Sequence, residues 1–367
     1  MSDTSSMLLI GVGGAGSAMA RGVSRAFGDN LRFVMTDTDA TTGQAGGNFV
    51  LIGGDRLSGR GAGGDIVAAR LAAEDSIASL DSSLEGVRLA VIVTALGGGT
   101  GGGATLETLT HLASRGIPSI VFATLPFSFE GEDRQRNARG VQALIEESAN
   151  ASFFIPLDKL VGDTDVMADA LRRAVDTLAS GVTLFWRLVE KPGYLRLDAE
   201  RVRHLIAKAG RGRFATVTAQ GPNRANDIVD ALTRSPLLAD GSGPVRAILC
   251  GILAGEDLRL SEVGVLADGI RRSFGDTAAF ELATVNDEQT FTGRIAAVVL
   301  LFEADGKSET VEKPGSVMSP RRKKKANGPL GVGPQGRGRF NNAEPTIWNG
   351  EDLDIPTFLR RNISLDF

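Results

Sequence analysis

Of 367 residues only one is cysteine, Cys250, and only two are histidine, His111 and His204. A single thiol excludes an internal disulfide and fits a reducing cytoplasm. Its apolar surroundings, Ala247 to Leu253, predict a buried, inert thiol. Neither His stands at metal-ligand spacing from Cys or an acidic pair, so both are expected to be ordinary surface or boundary residues. No Ser-His-Asp order or Cys cluster occurs, so neither protease nor zinc chemistry is expected. No apolar run approaches the roughly 20 residues needed to span a bilayer. Residues 1–7 lack a basic start, and Leu8 to Val12 is too short for a signal core, so a cytosolic chain is expected. The net charge of -4 argues against general nucleic-acid affinity. The charge is uneven. Residues 305–350 hold nine Lys/Arg and four Asp/Glu, which is +5 and leaves -9 for the rest.

Glycine is abundant, at 47 residues without a collagen period, which suggests tight turns and close backbone approaches. Apolar strands alternate with helical patterns: strands at Met7–Val12, Leu31–Met35, Val87–Thr94 and Ile117–Ala123, and helices at Ser17–Phe27, Ile66–Leu80 and Thr105–Ser114. Gly97–Gly103 reads as a loop. This order predicts an α/β fold with a parallel sheet and ligand loops at the carboxyl ends of its strands. Helices are expected at 137–150 and 165–190. A second α/β unit follows, with strands at Phe214–Gln220, Val245–Leu253, Ala278–Val285 and Arg294–Phe302. The divisions expected are a short N-terminus (1–7), a first domain (8–176), a connecting helix and loop (177–200), a smaller α/β domain (201–304), a disordered linker (305–350) and a tail peptide (351–367). The linker's basic run, Arg321 to Lys325, reads first as a solvated segment. Weak attraction to anionic lipid or nucleic acid is the alternative. Trp186 reads as core, and Trp348 as an anchor or a bystander.

Gly11-Val12-Gly13-Gly14-Ala15-Gly16 satisfies G-x-G-x-x-G between a strand and a helix, where bare backbone N–H groups approach a phosphate. The motif fits a dinucleotide enzyme about as well, because Asp37 sits near the end of the next strand, where a ribose-binding acid belongs. Gly97 to Gly103 holds six Gly in seven residues. Such a run makes sense where successive N–H groups wrap a polyphosphate, with the Thr100 hydroxyl as an added donor.

GGGTGGG resembles the signature of the tubulin/FtsZ family. IGVGGAG (10–16), TDTDA (36–40), GRGAGGD (59–65), LPFSFEGEDR (125–134), IPLDKL (155–160), SPLL (235–238) and AGEDLRLSEV (254–263) are similar to that family in the same order. The resemblance implies a GTPase domain joined by a long core helix to a smaller α/β domain, a GTP or GDP ligand with Mg²⁺, and self-polymerisation in bacterial cell division. It implies that Gly13, Gly14, Ala15, Gly98, Gly99, Thr100, Gly101 and Gly102 line the phosphates. Glu130 and Arg134 would contact sugar and phosphates, and Asp176 would read guanine through its N1–H and amine. On spacing alone Asp176 also fits a solvated helix face. Leu171 stands where the family often has Phe. Gly102 stands where it has a hydroxyl, and Leu157 where it has Asn.

In the family, hydrolysis needs a loop, G-x-x-N-x-D-x-x-D, from the neighbouring subunit. Here Asp198 matches the first acid, but Arg196 takes the Asn position and Arg201 the second acid. Glu200 is the adjacent carboxylate. Arginine cannot orient water as a carboxylate does. GTP binding and polymerisation with slow hydrolysis is the expected outcome, and a filament scaffold with little hydrolysis is the second reading. The tail, LDIPTFLRR, resembles the family peptide that docks on membrane-tethering partners, with Ile355, Pro356, Phe358 and Leu359 as anchors. No metal ligand from the protein is assigned.

Overall fold

The computed structural model describes residues 6–162, 166–191, 193–207, 210–239, 241 and 243–303, with the pairs 347–348 and 351–352. The basic run and the tail anchors Ile355, Pro356, Phe358 and Leu359 lie outside them.

Ten strands form one sheet, in the order β3-β2-β1-β4-β5-β6-β7-β10-β8-β9. The first seven are β1 (Met7–Val12), β2 (Phe33–Asp37), β3 (Phe49–Leu51), β4 (Leu89–Ala95), β5 (Ser119–Leu125), β6 (Ala151–Pro156) and β7 (Gly210–Gln220). Their neighbours all pair parallel. The other three are β8 (Val245–Ala254), β9 (Ala279–Asn286) and β10 (Arg294–Glu303). β10 runs antiparallel to both β7 and β8, and β9 is parallel to β8.

β1 is buried along its whole length because the pleat feeds two cores. Met7 and Leu9 pack with Met19 and Val23 of α1 (Gly13–Phe27) and with the long central helix. Leu8, Ile10 and Val12 face Ala73 of α2 (Ile66–Ser76) and Leu109 of α3 (Gly99–Ser114), with Val141 of α4 (Glu132–Ser148) in the same cluster. The central helix, α5 (Met167–Glu190), buries Leu178, Val182 and Trp186. A Cβ on Gly22 would lie 3.1 Å from Ala179, and Arg187 sits over the Phe27 ring at 5.7 Å. These two contacts mean that α1 and α5 run the same way. The first turns of α5 therefore lie at the end of the sheet where α1 begins.

α5 carries the chain about 36 Å, at 1.5 Å per residue, to the opposite end. There Arg187 Nη1 and Lys191 Nζ both donate to Asp287 Oδ2, at 2.5 and 2.9 Å. The following loop is fixed to β9. A Cβ on Gly193 would lie 1.7 Å from the Thr284 carbonyl oxygen. Leu195 N–H donates to Thr284 Oγ1, and Thr284 N–H donates to the Leu195 carbonyl, both at 2.9 Å. α6 (Ala199–Ile206) then leads to β7, and α7 (Arg224–Thr233) and α8 (Leu260–Phe274) cover the second part of the sheet.

Several boundaries differ from the sequence reading. The helices expected to open at Ser17 and Thr105 begin at Gly13 and Gly99. Most of the expected loop Gly97–Gly103 is therefore helix. Glycine is a poor helix former, but here the helix backbones press against those of neighbouring strands and of α2. Added Cβ atoms would lie 2.1 Å from the Ala95 oxygen at Gly101, 2.2 Å from the Ile66 oxygen at Gly103, and 2.4 Å from the Val93 oxygen at Gly16. The helix expected over Ile66–Leu80 is α-helical to Ser76 and ends in a 3-10 turn, and β7 starts at Gly210. Considered by itself, the C-terminal stretch pairs Ile347–Trp348 (β11) with Glu351–Asp352 (β12), across the expected boundary at 350. The two residues between them are Asn-Gly, the dipeptide favoured in two-residue hairpin loops. Trp186 and Cys250 are buried, as expected, and burial pushes the thiol up to about 12. His111 Nε2 lies 2.7 Å from Asp81 Oδ1.

Candidate functional site

β1 and β4 are parallel and end side by side, so α1 and α3 start from the same edge of the sheet. Their first turns meet. A Cβ on Gly13, whose φ is +75°, would lie 3.3 Å from Gly101 N and 3.7 Å from Thr100 Cβ. Thr94 Oγ1 ties the junction by donating to the Val12 carbonyl (3.2 Å) or the Gly101 carbonyl (3.0 Å). Neither helix has a side-chain N-cap, and neither has an acidic residue in its first turn. Two sets of unpaired N–H groups and two positive helix ends thus converge on one spot, which is suited to a multiply charged anion.

Three further segments border the junction. The loop after β2 joins it through the Thr38 and Thr100 hydroxyls, which are 2.6 Å apart. The GRGAGGD segment follows: Gly61 N–H donates to the Thr38 carbonyl (3.1 Å), and a Cβ on Gly99 would lie 2.7 Å from the Asp65 oxygen. The start of α4 is the third, since a Cβ on Gly97 would lie 3.3 Å from the Arg134 carbonyl.

The sequence candidates divide accordingly. Gly14 and Ala15 are exposed, Gly98 and Thr100 half-buried, and Gly13, Gly99 and Gly101 line the packed floor. Gly102 faces away, because a Cβ there would meet Val141 Cγ2 at 2.9 Å. Glu130 Oε1 accepts from Phe127 N–H at 2.8 Å, and its Oε2 pairs with Arg134. Leu157 is buried with Phe127 and Ala174, so it packs a small core. Asp176 is exposed on α5, in a polar groove of about 600 Å³ shared with Asp169, Arg172, Arg173, Thr177 and Ser180. With Gly22 level with Ala179, helix rise places Asp176 about 9 Å along the α1/α5 direction from Gly13.

Asp37, weighed in sequence only as a ribose acid, lies beside the junction. A Cβ on Gly14 would be 3.7 Å from its Oδ2, which accepts from Thr42 Oγ1 at 2.7 Å. Burial holds its carboxyl above the ordinary value of 3.8, against the opposing donors Thr42, Asp39 N–H and Thr38 N–H. With a raised folded pKa, the folded protein binds the proton more tightly. Stability therefore falls as pH rises from 3.8 through the folded value. Asp37→Asn is expected to raise the melting temperature at pH 7 by about 2 °C. That gain should vanish below the ordinary carboxyl value, as followed by circular dichroism. An equal gain at both pH values would contradict it.

The remaining candidates lie elsewhere. Asp198, Glu200 and Arg201 open α6 at the far end of α5. Asp198 caps that helix by accepting from Arg201 N–H at 2.8 Å. Glu200 pairs with Arg88, which precedes β4, whereas Gly97 follows that strand. Seven residues of β4 separate those ends by about 23 Å. Arg201 Nε and Nη2 donate to Glu281 Oε2 at 3.0 and 2.8 Å, and this pairing raises the guanidinium pKa. Arg196 is exposed. One chain therefore does not bring the loop to the glycine junction.

Residues 6–165 match the model of the Tubulin/FtsZ family, GTPase domain. The chain is similar to the cell division protein FtsZ of Pseudomonas aeruginosa, 30% identical over 367 residues, covering 98% of this chain and 90% of that protein. In fold it is similar to an empty FtsZ dimer from M. jannaschii, with TM-score 0.75 and 22% identity, covering 84% of this chain and 95% of that one. It also resembles CetZ2 from Haloferax volcanii, solved as a GTPγS-bound protofilament, with TM-score 0.68 and 23% identity over 82% and 93% of the two chains.

Proposed function

This chain belongs to the tubulin/FtsZ family, and from that premise we propose that it binds GTP at the Gly13–Thr100 junction and polymerises head to tail at the division site. The observation that carries the reading is the meeting of two uncapped, acid-free helix starts. Gly14, Ala15, Gly98, Thr100 and the backbone of Gly99 and Gly101 hold the phosphates. Arg134, paired with Glu130, borders the phosphate and sugar side, and Asp176 accepts from guanine. No group of three His, Cys, Asp or Glu suited to a metal occurs among the described residues. Mg²⁺ would therefore be held mainly by the phosphates and its own waters.

The loop and the junction occupy opposite ends of one chain, which supports a composite site. A heterologous contact repeated along one axis puts the 193–201 loop of each subunit over the junction of the next and grows a filament. The similar proteins solved as a dimer and as a protofilament favour the same mode. The Arg201–Glu281 pair where the family has an acid favours slow hydrolysis. A scaffold with negligible hydrolysis is the second reading, supported by the same pair. GTP-dependent light scattering with phosphate release in one sample tests both. Scattering with slow release supports the first reading, and scattering without release supports the second. No GTP-dependent scattering contradicts both.

Among the described residues no helix is long and apolar enough to cross a membrane. Recruitment to the inner face is assigned to the tail, where Ile355, Pro356, Phe358 and Leu359 dock weakly on a membrane-tethered partner. Many copies along a filament then bind together through effective concentration. Deleting residues 353–367 is expected to spare polymerisation and to abolish recruitment to partner-bearing vesicles in a flotation assay. Loss of polymerisation would contradict this division of roles.

A further inference from the structure

We propose that Thr38 is a positioning residue, whose buried hydroxyl turns the Thr100 O–H toward the bound phosphate. The inference rests on the GTP reading above and adds to it a residue outside the glycine motifs.

Thr38 follows β2, and its side chain is fully buried. Its N–H donates to Asp37 Oδ1 at 2.8 Å, and its carbonyl accepts from Gly61. Its hydroxyl has one partner among the described residues, the Thr100 hydroxyl at 2.6 Å. Thr38 is thus where the loop after β2, the GRGAGGD segment and the start of α3 meet.

A pair of hydroxyls has two protons, and only one lies in the link. If Thr100 donated, the Thr38 proton would be sealed in the interior with no acceptor. A buried donor left without a partner is the costly arrangement. With Thr38 donating instead, both demands are met. Thr38 is satisfied, and the Thr100 proton is left for an acceptor on the open side of the junction. A hydroxyl that accepts a hydrogen bond is polarised and becomes a stronger donor. A phosphate oxygen at the junction is the natural recipient. The Thr100 Cβ lies 3.7 Å from the place a Cβ on Gly13 would take, at the start of α1. The proton is therefore aimed before the ligand arrives.

The test is a double-mutant cycle on the full chain, read by GTP titration, with melting temperature without nucleotide as the folding check. Thr38→Val keeps the shape and removes the donor, and is expected to weaken GTP binding about tenfold. Thr38→Ser should bind within about twofold of wild type, since it restores the donor. Thr100→Val should weaken binding at least as much as Thr38→Val. The double variant should be no weaker than Thr100→Val, because Thr38 acts only through Thr100. If Thr38→Val does not fold, Thr38→Cys, a weak donor of similar size, takes its place. Wild-type affinity in the Val or Cys variant, failure of Ser to rescue, or additive losses in the double variant would each overturn the assignment. Absence of GTP binding by the wild-type chain overturns the GTP reading, and this inference with it.

Discussion

Gly101→Ala is expected to weaken GTP binding by about a hundredfold or more, the largest loss from removing so little. The added Cβ would lie 2.1 Å from the Ala95 carbonyl oxygen and 3.1 Å from Thr94 Oγ1. Both belong to the packed end of β4, so α3 must move. Its movement pulls Gly101 N away from Gly13 and breaks the link from Thr94 to the Gly101 carbonyl. Gly98→Ala is the matched control. No described residue lies within 4 Å of its added Cβ, and its φ of -87° suits any residue. It is expected to leave the melting temperature of the nucleotide-free protein unchanged. Far-ultraviolet circular dichroism with GTP titration separates a displaced helix from an unfolded chain. Wild-type affinity in Gly101→Ala would mean that the α3 start does not hold the phosphate.

Turnover should respond to two substitutions together and not to one. Arg201→Asp alone is expected to change GTP hydrolysis little, because the new carboxylate would face Glu281, whose Oε2 now lies 2.8 Å from Arg201 Nη2. Left without the cation between them, the neighbouring carboxylates repel, which favours one of them protonated, and a protonated acid does not activate water. With Glu281→Gln added, Asp198 and the new acid can both be ionised beside the neighbouring subunit's nucleotide. Hydrolysis is then expected to rise about tenfold or more over wild type, the increment that a positioned general base supplies. Phosphate release by filaments at matched polymer mass measures it. An equal rise in the single variant would show that Glu281 does not control the site.

The positions of most strands were legible because fully buried parallel strands such as Leu89–Ala95 read as unbroken apolar runs, whereas their order in the sheet was not. The glycine density marked the candidate site, but its conformation was hidden. Local propensity argues for a loop, and the Asp65, Ile66 and Ala95 carbonyls that require bare Cα atoms in a helix are set by tertiary packing. Long-range partners were hidden for the same reason. Thr38 and Thr100 are 62 residues apart, and Arg201 and Glu281 are 80 apart. TDTDA pointed at Thr38 as part of a motif without revealing which hydroxyl it meets. The loss of the second loop acid was plain in the sequence, whereas the carboxylate that neutralises its replacement was not. Nor does spacing reveal that Asp198 stands a helix length from Gly13. That separation follows from the α1/α5 packing at Gly22 and Phe27.

The most direct test of the composite site is an electron cryo-microscopy structure of filaments grown with a slowly hydrolysed GTP analogue. It should show the phosphates between Gly13–Gly14 and Thr100–Gly101, the base at Asp176, and the 193–201 loop of the next subunit across the terminal phosphate. Nucleotide held away from either helix start, or a subunit contact that leaves the 193–201 loop in solvent, would contradict it.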